Sequence, residues 1–152
     1  MKKVISVFLS VLLVVSLCSV GASAEGQQDI LISRTEEVLE NGDIVVTELY
    51  ENAIQPRTGK SAYKTSTCID NTTGGNVWTL KLDATFEYVA AVTSAATSAT
   101  ATVMIQNAAA TFVSKDASYV DNIARGSGKV LYKGENTSRT LTITCDKYGN
   151  LT

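Results

Sequence analysis

Histidine is absent from the 152 residues. That excludes Ser–His and Cys–His nucleophile pairs and removes the commonest zinc ligand. Carboxylate chemistry stays open, because two acids of separated pKa can cleave a glycosidic bond. The best-spaced pair is Asp83 and Glu87. They lie on the polar side of an alternating run, where carboxylates are ordinarily solvated. Asp70-Asn71-Thr72-Thr73-Gly74-Gly75-Asn76 is rich in side-chain oxygen, but it holds one carboxylate and lacks EF-hand spacing. It reads as a turn, and Asp146–Asn150 reads as a terminal one. No residue is assigned a catalytic, cofactor-binding or metal-ligating role, and no cofactor is expected.

The aromatics offer binding chemistry. Trp78 is the only tryptophan. It stands on the apolar side of the same run, which makes it core rather than ligand platform. Tyr63, Tyr119 and Tyr132 would make a carbohydrate or peptide site if the fold gathered them on one surface. Asn71-Thr72-Thr73 and Asn136-Thr137-Ser138 match the glycosylation pattern.

The elements that must position these residues read as strands. Trp78, Leu80, Leu82, Ala84, Phe86 and Tyr88 fall on one side of a period-two run. Val77, Thr79, Lys81, Asp83, Thr85 and Glu87 fall on the other, so one face is buried and one is wet. Ser61–Ile69 is a Thr-rich strand before it. Ala99, Ala101, Val103 and Ile105 alternate with Thr100, Thr102, Met104 and Gln106 in a later one. Leu141, Ile143 and Cys145 alternate with threonines in the last. Strands around 110–114 and 122–133 are weaker, and residues 89–101 divide between helix and strand. Residues 30–51 read as a hairpin, because Asn41-Gly42 between β-rich runs suits a type I′ turn with positive φ at both positions. Pro56, Arg57 and Gly59 mark a linker after it. The expected fold is all-β: an antiparallel sandwich, with a small barrel as alternative, preceded by an acidic β-hairpin.

Residues 1–24 read as a secretory signal peptide. Lys2 and Lys3 precede an apolar run, and Ala22-Ser23-Ala24 is a small-residue cleavage site, leaving Glu25 as the new N-terminus. Lipid attachment at Cys18 is disfavoured by the bulky Leu17 before it. The expected organisation is signal peptide 1–24, acidic hairpin and linker 25–57, and β-sandwich 58–152. Residues 25–51 carry eight acids and one base, whereas the remainder carries seven acids and ten bases. The acidic stretch reads as a solvated hairpin or one docked on the basic remainder. Without a Lys/Arg cluster, nucleic acid is excluded as a partner.

Processing leaves Cys68 and Cys145. An even cysteine count in a secreted chain favours pairing, with two free thiols or a redox pair as alternatives. No C-x-x-C motif supports the redox pair. A bridge would stabilise by up to ~4.5 kcal/mol in the chain-entropy model. Val92–Thr111, where small apolar and hydroxyl residues alternate, also resembles the inserting hairpins of pore-forming toxins.

Several segments resemble a group of small, secreted, uncharacterised proteins of Gram-positive bacteria. They are Thr35–Asp43, Pro56-Arg57, Trp78–Leu82, Ala84–Tyr88 and Leu141–Leu151. The resemblance implies secretion and an all-β fold, and supplies no activity. In that group the partner of the terminal cysteine follows the Phe-x-Tyr segment, whereas Val89–Thr97 here contains no cysteine. The expected function is a non-enzymatic extracellular binding protein acting on a cell-envelope component or another secreted protein. Membrane activity and a carboxylate-dependent hydrolase or inhibitor are the alternatives.

Overall fold

A computed structural model describes residues 28–56 and 59–152. The expected signal peptide, its expected Ala24–Glu25 cleavage junction and Arg57 lie outside the described residues. Eight strands follow one another: β1 (Ile30–Val38), β2 (Ile44–Glu51), β3 (Gly59–Ile69), β4 (Asn76–Val89), β5 (Thr93–Ile105), β6 (Thr111–Val120), β7 (Ile123–Tyr132) and β8 (Glu135–Thr144). They form a five-stranded antiparallel sheet, β1-β2-β3-β4-β5, and a three-stranded one, β6-β7-β8. The fold is all-β, two sheets face to face and not closed into a barrel.

The β4 alternation sets the core. Trp78, Leu80, Leu82, Ala84 and Phe86 are buried, Trp78 being 1% exposed. From β2 and β3 they are joined by Val45, Leu49, Ala62 and Cys68, and from the small sheet by Ala124, Val130, Leu141 and Ile143. Two residues break the pattern: Thr79, 5% exposed on the expected wet side with its hydroxyl bonded to Gln106 and Thr67, and Val77. Val77 stands on the expected wet side yet is fully buried, because the register shifts there: Cys68 pairs with Trp78, but Ile69 pairs with Asn76. Such a bulge re-aims one side chain.

Residues 89–101 settle as a tight turn and the start of β5, not a helix. In β5 the small apolar residues face the small sheet. A Cβ added at Gly126 would lie 3.3 Å from the Ala101 methyl, and one at Gly128 would lie 2.8 Å from Val103. The Val92–Thr111 alternation is thus spent on a sandwich interface, and membrane insertion of β5 would require the two sheets to part.

The acidic hairpin is not set apart from the sandwich. All of β2 pairs with β3, from Ile44↔Ile69 to Glu51↔Ala62. Bases from outside the hairpin meet its acids: Arg139 binds Glu37 at 3.0 Å, Lys133 binds Asp43 at 3.3 Å, and Lys60 binds Glu51. The β1–β2 turn also differs from expectation. Gly42 has φ +86°, but Asn41 is not among the residues of positive φ. Gly42 N–H donates to the Leu39 carbonyl at 2.9 Å and Leu39 N–H to that of Asp43 at 2.8 Å. This is a three-residue loop with glycine in the left-handed position. The type I′ dipeptide falls instead at Lys133-Gly134, with φ +52° and +80°.

The bridge expected between Cys68 and Cys145 is absent: both thiols are free and buried. Cys68 lies beside Trp78 and Val45 at the β3–β4 turn end. Cys145 lies beyond β8, where its N–H donates to the Asn122 carbonyl and the Ser94 hydroxyl donates to the Cys145 carbonyl. Asn122 adjoins the β6–β7 turn, at the opposite end of β7 from Tyr132, which bonds Asp70 beside the β3–β4 turn. The length of the sandwich therefore separates the two sulfurs, far beyond bridging reach.

Candidate functional site

The outward face of the large sheet carries a row of polar and aromatic side chains. Antiparallel register puts Tyr50 opposite Tyr63, and Tyr63 opposite Asp83. The two rings stack with centroids 4.9 Å apart and planes 17° from parallel. Lys81 stands on the same face of β4, its Nζ 4.5 Å from the Tyr63 centroid. It also contacts Asp83 at 2.7 Å. On the far side Tyr50 donates to Glu48 at 3.1 Å, and Arg34 donates to the same carboxyl at 3.1 Å. Charge and aromatic faces thus alternate across four strands.

Beside this stack is a shallow cleft of about 340 Å³, lined by Asp29, Asn52, Ala53, Ile54, Tyr63, Lys81 and Asp83. Its floor is preorganised. Asp29 accepts from the Ala53 N–H at 2.8 Å, and the Asn52 amide donates to Ser61 Oγ at 2.6 Å. Burial, then the hydrogen bond to Asp29, push the Tyr63 phenol up to about 12, so it stays a donor at any physiological pH. The cleft presents a phenol edge, two carboxylates and an ammonium. Such a set suits a ligand dense in hydroxyls better than an apolar one.

A second cluster brings two acids together. Asp43, 1% exposed, and the buried Asp70 share Lys133, at 3.3 and 3.4 Å. Tyr132 donates to Asp70 at 2.5 Å, and the Thr72 and Thr73 N–H groups donate to its other oxygen. Asp43 accepts from the Asn41 amide at 3.0 Å and the Asn71 N–H at 3.2 Å. The Tyr132 hydrogen bond, above all, holds the Asp70 carboxyl well below its usual range. A carboxyl kept ionised this firmly is a poor proton donor near neutrality. Neither carboxylate lines the cleft. Their oxygens serve to tie the β1–β2, β3–β4 and β7–β8 turns together.

The tyrosines singled out in the sequence do not gather. Tyr132 is buried under Asp70, Tyr119 is exposed on β6, and Tyr63 stands on the opposite sheet. Trp78 is core, as alternation indicates. Asp70–Asn76 and Asp146–Asn150 are turns, each closed onto its leading aspartate. Glu87 is exposed, and Asp83 pairs with Lys81 rather than with it. Among the described residues no group of three or more His, Cys, Asp or Glu is placed to hold a metal ion.

Sequence reasoning missed Tyr50, Asp29, Asn52 and Lys81 as site residues. One signal was present: Tyr50 and Tyr63 are equally distant from Pro56-Arg57, so a β2–β3 connection centred there places them opposite each other. Asp29 had no comparable signal, since it is brought in from before β1. Comparison of the chain with protein-family models, curated proteins and solved structures finds no match.

Proposed function

We propose that this protein, after removal of its signal peptide, is a non-enzymatic extracellular module that binds a hydroxyl-rich polymer of the cell envelope. The observation that carries this reading is the Tyr50–Tyr63 stack beside a cleft whose polar groups are held by the fold. Rigid aromatic area adjoining fixed donors and acceptors gives orientation at low entropic cost. The hydroxyls of Thr65, Thr67, Thr100 and Thr102 extend the same face, giving a long polymer contacts beyond the cleft. Titrating the isotope-labelled chain with soluble cell-wall glycan fragments should shift the amide signals of Asn52, Tyr63, Lys81 and Asp83 selectively. Shifts confined to the small sheet, or none at millimolar fragment, contradict the proposal.

One observation favours a second reading, contact with a lipid surface. Val89 and Val92 flank the β4–β5 turn, Val120 precedes the β6–β7 turn, and Tyr148 lies in the C-terminal turn, all exposed. Hydrogen bonds from Ala91 N–H to the Lys147 carbonyl and from Ala96 N–H to that of Asp121 hold these segments at one end of the sandwich. The cleft opens at the same end of the large sheet, but Val89, Val92, Val120 and Tyr148 do not line it, so sedimentation of a Val92→Asp variant with anionic vesicles separates this reading from the first.

A further inference from the structure

We infer that β1 is a self-pairing edge, and that two copies of this chain join through it into one continuous sheet. β1 hydrogen-bonds to β2 on one side, and among the described residues nothing pairs with its other edge. All nine of its residues are exposed, including Ile30, Leu31, Ile32 and Val38, the last at 70%. A long edge strand bearing apolar side chains is a template for another strand. Charged residues ordinarily blunt such an edge, so their placement decides what it accepts.

Pairing with β2 shows which way the β1 side chains point. Arg34, Glu36 and Val38 lie opposite Glu48, Val46 and Ile44, so they share the outward face of the large sheet. Thr35 and Glu37, opposite Thr47 and Val45, face inward. Consider antiparallel pairing of β1 with a second β1 about a two-fold axis perpendicular to the sheet. Centring it on Arg34 sets Arg34 against Arg34 and Ile32 against Glu36. Centring it on Glu36 sets Glu36 against Glu36. Centring it on Thr35 sets Arg34 against Glu36 twice, in the regular part of β1 that ends at the bulge where Ile32 has no β2 partner. Only the last register opposes Arg34 to Glu36, and directly opposed pairs of opposite charge stabilise a sheet. The second copy is therefore the occupant that the edge fits.

The same-strand contact prepares the pair. Arg34 Nη2 already donates to Glu36 at 2.8 Å and Nη1 to Glu48 at 3.1 Å, so the guanidinium is held on the face where its new partner would arrive. Glu37 and Glu48 are each engaged by an arginine, which lessens the acidic repulsion between two hairpins. One short strand pair buries less than a standard interface, so the association is weak and concentration-dependent. A two-fold axis perpendicular to the sheet keeps both clefts on one face, roughly 35 Å apart by strand spacing and rise. The inference does not depend on what the clefts bind.

Sedimentation equilibrium of the processed chain from 5 to 200 µM, at 0.15 M salt, tests it. Wild type should show a monomer–dimer equilibrium. R34E and E36R should each associate roughly ten- to thirtyfold more weakly, since like charges then oppose each other twice. An equimolar mixture of the two variants should regain wild-type association, because the two outward acids of the R34E chain then meet the two outward bases of the E36R chain. Circular dichroism checks that each variant is folded. Wild type monomeric throughout, or a mixture that associates no better than its components, overturns the inference.

Discussion

Asp70 is the residue on which three turns converge, and its chemistry sets a pH dependence. Its carboxyl is held below the ordinary value of 3.8, first by Tyr132 and then by turn N–H groups. The folded state therefore binds the proton less readily than the unfolded state. The stability it contributes is complete above 3.8 and is lost as pH falls below that value toward the folded pKa. The melting temperature should decline between about pH 4 and pH 2, and Asp70→Asn should flatten that decline. Asp43→Ala leaves the Asn71 N–H and the Asn41 amide without their acceptor while Lys133 keeps Asp70, and denaturant unfolding should register a loss of about 1–3 kcal/mol. At the cleft, ultraviolet titration should show one tyrosine ionising near 12, and Tyr63→Phe should remove that step. None of this cluster was legible from spacing. Asp43, Asp70 and Lys133 are far apart in the chain and meet only because three turns share one end of the sandwich. Trp78 was legible because a period-two run assigns its face without knowledge of any partner strand.

At the scale of the element, β7 explains why its sequence signal was weak. Gly126 and Gly128 interrupt the apolar pattern, yet they face Leu82, Leu80 and Val103 across the sheets. A side chain there would occupy space already filled, so glycine is what close approach requires. Gly128→Ala should destabilise by about 1–3 kcal/mol through overpacking, read from the urea midpoint. On β3, Lys64 points toward the small sheet, and its ammonium donates to the Thr142 carbonyl at 3.1 Å. Burial lowers its pKa, so the charged form disfavours folding and stability rises as pH climbs from the folded pKa toward 10.5. Lys64→Met should leave the melting temperature unchanged or raise it. The β1–β2 hairpin was legible from Asn41-Gly42, but its turn type was not. Asp43 N–H donates back to the Asn41 side chain at 3.0 Å, and that Asx closure suits a three-residue loop.

Across the whole molecule, two packed sheets carry a polar outward face and bury both thiols. Cys68 and Cys145 are buried at opposite ends, and burial pushes both thiols up. A thiol reagent should modify neither in the folded chain and both in denaturant, and a reductant should leave the melt unchanged. Cysteine count alone favoured a bridge, because count carries no information about which ends of a sandwich two strands reach. The acidic hairpin was legible as a charge asymmetry, but its place in the sheet depends on the β2–β3 register, which the linker composition concealed. The outward face of the large sheet is where the proposed binding takes place. Co-sedimentation of the processed protein with isolated cell walls, beside its Tyr63→Ala and Lys81→Ala variants, tests it most directly. Wild type should pellet with the walls while both folded variants remain mainly in the supernatant. Wild type left in solution, or variants that pellet as fully as wild type, would contradict it.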